Sequence, residues 1–121
     1  MLQRVSRQSI RRPAFQFLDS SSTLDVYDEG KDFLIDAEDQ EIVIQLPDGL
    51  TKSYRVDFYK VSLGTVLTIK AGPYDKFAGS STINRKLVSP VINDYSSVSI
   101  SYVPENASWY VVGGQGLFLT Q

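Results

Sequence analysis

Between Tyr95 and Val112 the chain alternates. Val98, Ile100 and Tyr102 take turns with Ser97, Ser99 and Ser101. A period of two gives a strand one apolar face and one small polar face. Pro104-Glu105-Asn106-Ala107 interrupts the run and Trp109-Tyr110-Val111-Val112 resumes it, which predicts a β-hairpin with a solvated turn. The same pattern recurs upstream. Phe15–Leu18 is a short apolar stretch before a serine-rich turn. Leu24, Val26 and Tyr27 mark a second strand ended by Glu29-Gly30, and Phe33 and Ile35 a third. Glu41 to Leu46 is a β-branched run stopped by Pro47-Asp48-Gly49. Tyr54, Val56 and Phe58 alternate with polar residues, and Ser62-Leu63-Gly64 joins them to Thr65–Lys70 as a second predicted hairpin. Ile83 and Leu87 flank a polar strand ending at Ser89-Pro90. Gly113-Gly114-Gln115-Gly116 reads as a tight turn into a last strand at Leu117-Phe118-Leu119. Thr82–Val88 is too short and too β-branched at its start to be a helix. About nine or ten strands spaced roughly 8–12 residues apart predict an all-β fold. The expected architecture is a compact antiparallel β-sandwich or jelly-roll-like barrel with an extended N-terminal arm.

Charge divides the chain. Residues 1–14 form the predicted arm. It holds Arg4, Arg7, Arg11 and Arg12 and no acid, and Pro13 pushes the residue before it out of the helical region. Residues 15–121 form the predicted single β-domain. Nine acids and Lys31 fall between residues 19 and 41. The arm reads either as a frayed terminus or as an element that docks on an acidic neighbour.

Composition narrows the chemistry. The 121 residues contain no cysteine and no histidine, which removes disulfides, thiol nucleophiles, the commonest metal ligands and the usual general base. A net charge of -2 gives no field for nucleic acid. Arg55 and Lys60 lie among aromatic residues, but Asp57 sits between them. No apolar run is long enough for a membrane helix and no secretory signal is expected. Asp36, Glu38, Asp39 and Glu41 are the densest carboxylates. They could pair for glycoside cleavage or hold calcium, yet their spacing lacks the central glycine of a calcium loop. A solvated acidic loop, or a partner for a neighbour's basic arm, is the simpler reading. Ser80 and Ser81 have no nucleophile elbow and no base. No cofactor and no metal are expected. Trp109, Tyr110 and Tyr74 are the candidates for stacking on a ligand, although alternation turns either Trp109 or Tyr110 toward the core.

The order of signals carries a resemblance. Ile44-Gln45-Leu46-Pro47 is followed by Tyr54-Arg55-Val56-Asp57-Phe58, Val66-Leu67-Thr68-Ile69 and Phe77-Ala78-Gly79-Ser80, then by Tyr95–Ile100 and Trp109-Tyr110-Val111. This set resembles the small β-domains of tailed-bacteriophage virion proteins: capsid decoration (cement) proteins, head fibres and tail-fibre tips. The chain departs from that pattern at Phe77, where isoleucine is usual. The resemblance implies a non-enzymatic structural protein of the virion. The expected form is a homotrimeric capsid decoration protein that binds the outer capsid surface and stabilises the shell. Its implied partners are copies of itself and the major capsid protein, with Arg4, Arg7, Arg11 and Arg12 as the capsid contacts. The alternative is a receptor- or carbohydrate-binding tip domain of a tail fibre or head fibre. It would hold a host surface glycan through Trp109, Tyr110 or Tyr74. Neither reading involves nucleic acid or a membrane.

Overall fold

The computed structural model describes residues 15–36, 40–61, 64–78, 84–89, 96–116 and 118–121. The predicted arm lies outside them. The described strands are β1 (Gln16–Leu18), β2 (Ser22–Thr23), β3 (Asp32–Ile35), β4 (Glu41–Gln45), β5 (Tyr54–Lys60), β6 (Val66–Lys70), β7 (Lys76–Phe77), β8 (Lys86–Ser89), β9 (Ser97–Val103), β10 (Ser108–Gln115) and β11 (Leu119–Thr120). They form two packed sheets, in the orders β1-β3-β5-β9-β10-β7 and β11-β8-β6-β4-β2. The fold is an all-β sandwich.

From β1 to β8 the chain changes sheet at every step. The neighbour of a strand is therefore often the strand two places along. Four such pairs run the same way, β1 beside β3, β3 beside β5, β2 beside β4 and β4 beside β6, while β6 beside β8 is antiparallel. Phe33 pairs with Phe58 in one sheet and Ile44 with Ile69 in the other. One turn of chain thus lies on the next with the same offset in both layers. The sheets are mixed, which corrects the expectation of an antiparallel sandwich. The predicted hairpin of Tyr54–Lys60 with Thr65–Lys70 is also overturned. β5 sits between β3 and β9 in the first sheet, and β6 between β4 and β8 in the second. Alternation shows that one face of a strand is buried, but a short connector can cross the ~10 Å gap between sheets as well as reverse within one.

The β9–β10 hairpin is observed, antiparallel from Ser108 opposite Val103 to Gln115 opposite Ser97. Its turn is a short 3-10 helix over Pro104–Asn106, closed by Ala107 in the left-handed region. The glycine-rich segment is not the predicted tight turn. Gly113, Gly114 and Gln115 belong to β10, beyond a bulge between Val111 and Gly113. Gly114 has φ +136, and a Cβ there would run into the carbonyl of Ser97. The predicted strand at Leu24–Tyr27 is instead a 3-10 turn over Val26–Asp28. The Tyr27 N–H donates to Asp25 Oδ1 at 2.8 Å and the Asp25 N–H to Asp28 Oδ2 at 3.0 Å. This reciprocal cap favours a helical turn over a strand at that place.

The core fills the space between the layers. Phe33 and Phe58 stack at 5.6 Å across the parallel pair β3–β5. Trp109 lies against Tyr54 at 5.7 Å and Tyr102 at 5.0 Å. Ile42, Ile44, Leu67, Ile69 and Leu87 of the second sheet join the same cluster. Each such side chain contributes about 1.5–3 kcal/mol by leaving water. Lys60 is buried at the end of β5 and its ammonium donates to Ser89 Oγ at 3.1 Å, tying the first sheet to the second.

Candidate functional site

The outer face of the six-stranded sheet is built by register. Phe17, Leu34, Tyr59, Ser97 and Gln115 form one row across β1, β3, β5, β9 and β10. Arg55, Ser101 and Tyr110 form another. One corner of this face is apolar. Phe17 is 65% exposed, Phe15 meets Tyr59 edge-to-face at 6.0 Å, and Val61 is exposed beyond the end of β5. The middle of the face carries the small side chains of Ser97, Ser99 and Ser101, and a shallow concavity of about 740 Å³ lies beside Tyr59, Val61, Ser97 and Gln115. Asp32 and Asp57 lie side by side on this face.

A second concave surface lies where β2, β4 and β6 end. Thr23, Gln45 and Lys70 are in register there. The ladder continues past the strands: Leu24 N–H donates to Gln45 O at 2.9 Å and Leu46 N–H to Lys70 O at 2.8 Å. Three turns of chain therefore leave the sheet stacked on one another. They enclose an open groove of about 680 Å³ lined by Leu24, Asp25, Leu46, Pro47, Asp48 and Lys70 with their neighbours. The Gln45 amide is spent inside, on the carbonyls of Leu46, Lys70 and Ala71 at 3.2–3.3 Å. Gly72 is buried against Asp48, and a Cβ on it would overlap the Asp48 side chain. Tyr27 and Tyr74 follow directly on the lining residues Val26 and Pro73, and are 84% and 87% exposed.

Buried polar groups surround Trp109. The Tyr102 hydroxyl donates to Asp75 Oδ1 at 2.9 Å, with both residues buried. Burial, with the hydrogen bond to Asp75 and its charge, pushes the Tyr102 phenol up to about 12. The Tyr54 hydroxyl donates to Asp25 O at 2.7 Å. Burial first, then the carboxylates of Asp28, Asp25 and Glu29, also raise its pKa. Asp75 Oδ2 and Trp109 Nε1 are buried with no hydrogen-bond partner.

These positions sort the predicted site residues. Trp109 is 0% exposed and packs against Tyr54 and Tyr102, so it presents no ring face to a ligand. Tyr110 faces out and its oxygen accepts from Asn106 Nδ2 at 2.7 Å. Tyr74 is exposed and follows Pro73, the last lining residue of the groove. Arg4, Arg7, Arg11 and Arg12 lie outside the described residues, as do Glu38, Asp39, Ser80 and Ser81. Asp36 and Glu41 are exposed. Among the described residues no group of three or more His, Cys, Asp or Glu side chains could hold a metal ion. No described helix is long and apolar enough to cross a membrane. The exposed turn carrying Tyr27 reads in the sequence as a strand; the Asp25-x-x-Asp28 spacing of its cap is the signal that marks it as a turn. No protein-family model matches the chain, and no curated protein matches it.

Proposed function

We propose that the chain is a structural, non-catalytic virion protein: a homotrimeric capsid decoration protein on the outer capsid surface. The observation that carries this reading is the outer face of the six-stranded sheet. It carries only small serine side chains along β9 and is apolar at the Phe15–Phe17–Tyr59 corner. Exposed aromatic rings on a strand surface suit self-association. A trimer would present three cationic arms at once. Arg4, Arg7, Arg11 and Arg12 of each copy would grip carboxylates of the major capsid protein, and avidity would sum three weak contacts. The resemblance of the sequence motifs from Ile44-Gln45-Leu46-Pro47 to Trp109-Tyr110-Val111, in their order along the chain, to small phage virion domains supports the same role.

The test is the native mass of the purified chain, together with its position on intact particles. A trimer of the 13.5 kDa chain that decorates shells, and stops decorating them after residues 1–12 are removed, is expected. A monomer that binds no particle would end this reading.

A further inference from the structure

The outer face of the six-stranded sheet carries more acid than base at one place. Asp32 and Asp57 are register partners on the parallel pair β3–β5. Both point outward, because Phe33 and Phe58, the next residue on each strand, stack in the core. Neighbouring strands are about 4.8 Å apart, so two like charges lie side by side, an arrangement that destabilises a sheet. Asp32 is nonetheless only 8% exposed. Asp57 Oδ1 is buried and accepts no hydrogen bond, and Arg55 Nε lies 3.6 Å from it, beyond hydrogen-bond length. Lys31, which precedes Asp32, spends its ammonium on Asp28 Oδ1 at 2.7 Å. The outward-facing residues of β3, β5 and β9 thus hold Asp32 and Asp57 against Arg55 alone. Carboxylates this far from water call for a cation that brings several donors.

We propose that this carboxylate pair is the docking site, in the free protein, for Arg11-Arg12 of the same chain. The segment before β1 holds Arg4, Arg7, Arg11 and Arg12 and no acid, and it ends beside the pair. Gln16 is in register with Phe33, so one step back places Phe15 next to Asp32. The Phe15 ring meets Tyr59 edge-to-face, which brings the chain into β1 along this same face. Arg11 and Arg12 lie four and three residues before Phe15, at most about 14 Å of extended chain. β5 is two strands from β1, a distance of about 10 Å. Both carboxylates are therefore within reach. A guanidinium offers several N–H donors in a planar fork and can hold two carboxylates at once, which the point charge of an ammonium does less well. The inference does not rest on the virion reading. A shell that binds these arginines would have to compete with Asp32 and Asp57 for them.

The test follows the arginine Nε–H protons of the full chain by NMR. The proton of Arg11 or of Arg12 should exchange with water about fivefold more slowly than those of Arg4 and Arg7. Asp57→Asn, a change at a partly exposed side chain, should keep the circular dichroism spectrum and remove most of that protection. Asp48→Asn, an exposed acid in the turn after β4 of the other sheet, should leave it in place. The double variant Arg11→Gln/Arg12→Gln changes only residues ahead of β1. It should move the carboxylate carbon signals of Asp32 and Asp57 and not that of Asp48, a result that decides the matter even if Asp57→Asn does not fold. Chains with the double change and chains with Asp57→Asn, refolded together, should regain no protection, because each arm serves its own sheet. The proposal is overturned if all four arginines exchange alike, or if a folded Asp57→Asn chain keeps full protection. It is equally overturned if the signals of Asp32 and Asp57 ignore the double variant. Protection restored by mixing would also overturn it and would give the site to a neighbour's arm. None of these results depends on the native mass, so the trimer reading stands or falls separately.

Discussion

Two groups of aromatic rings occupy the same six-stranded sheet and meet opposite fates. Tyr54, Tyr102 and Trp109 face inward and pack on one another, with Tyr102 and Tyr54 anchored through their hydroxyls to Asp75 and to the carbonyl of Asp25. Phe15, Phe17 and Tyr59 face outward on the same sheet, and Phe15 still meets Tyr59 edge-to-face. The inner rings are removed from water by folding itself. Most of the outer apolar area can leave water only when something else covers it. Residue type does not separate the two groups; the parity of the strand does. The inner group should therefore govern stability, and the outer group association.

The strongest break of that contrast is Trp109→Ala. It removes the largest fully buried side chain, which packs against both Tyr54 and Tyr102. A loss of about 3–5 kcal/mol is expected, as for other buried large aromatics. Urea unfolding followed by circular dichroism measures it; a loss under 1 kcal/mol would show that the inner cluster does not hold the sandwich. Gly114→Ala comes next. It forces a side chain into a backbone region at φ +136 that disfavours one, and drives a Cβ toward the carbonyl of Ser97 on β9. About 1–3 kcal/mol should be lost, measured in the same way. Gly113→Ala is the control, since a Cβ there meets only Ser99 at 3.9 Å.

What was legible in the chain follows from how far apart the determinants lie. The β9–β10 hairpin was readable because its alternation and its Pro104 turn are contiguous. Membership of a sheet was not. β5 and β6 show the same alternation whether they pair with each other or part to different layers, and their actual neighbours are β3, β9, β4 and β8. The glycines of β10 looked like a turn because glycine serves both a turn and a close backbone approach, and only the bulge opposite Ser99 separates the two uses. Tyr74 could be singled out beside Gly72-Pro73. The groove lined by Gly72 and Pro73 could not, because its walls come from three distant stretches that only parallel stacking brings together. Trp109 and Tyr110 were readable as one ring in and one ring out, and the register opposite Tyr102 and Ser101 decides which.

Alkali should act on the inner group first. The Tyr102 phenol is raised to about 12 from its ordinary 10.0, chiefly by burial. The folded chain thus keeps a proton that the unfolded chain gives up. The resulting stability is fully present below pH 10 and is lost as pH rises toward 12. Tyr54 is raised as well and adds to the loss in the same direction. Each group steepens the fall by up to about 1.4 kcal/mol per pH unit. Urea unfolding at pH 9, 10 and 11 should show this. Tyr102→Phe should flatten the slope above pH 10 while lowering stability at pH 7, because Asp75 Oδ1 loses its donor. An unchanged slope would remove Tyr102 from the account.

The smallest expected effect on stability belongs to the outer corner, and it separates the two groups most cleanly. Phe17→Ser exchanges a ring that is 65% exposed for a hydroxyl. Surface changes of this kind stay within about 0.5 kcal/mol, so the urea midpoint should hardly move. Sedimentation should respond instead, because the substitution removes apolar area that self-association would cover. A trimer that falls toward monomer in Phe17→Ser, with its unfolding curve unmoved, would place the outer rings in association alone. If the variant unfolds earlier and its mass stays the same, Phe17 belongs with Trp109, and the outer face must find another role.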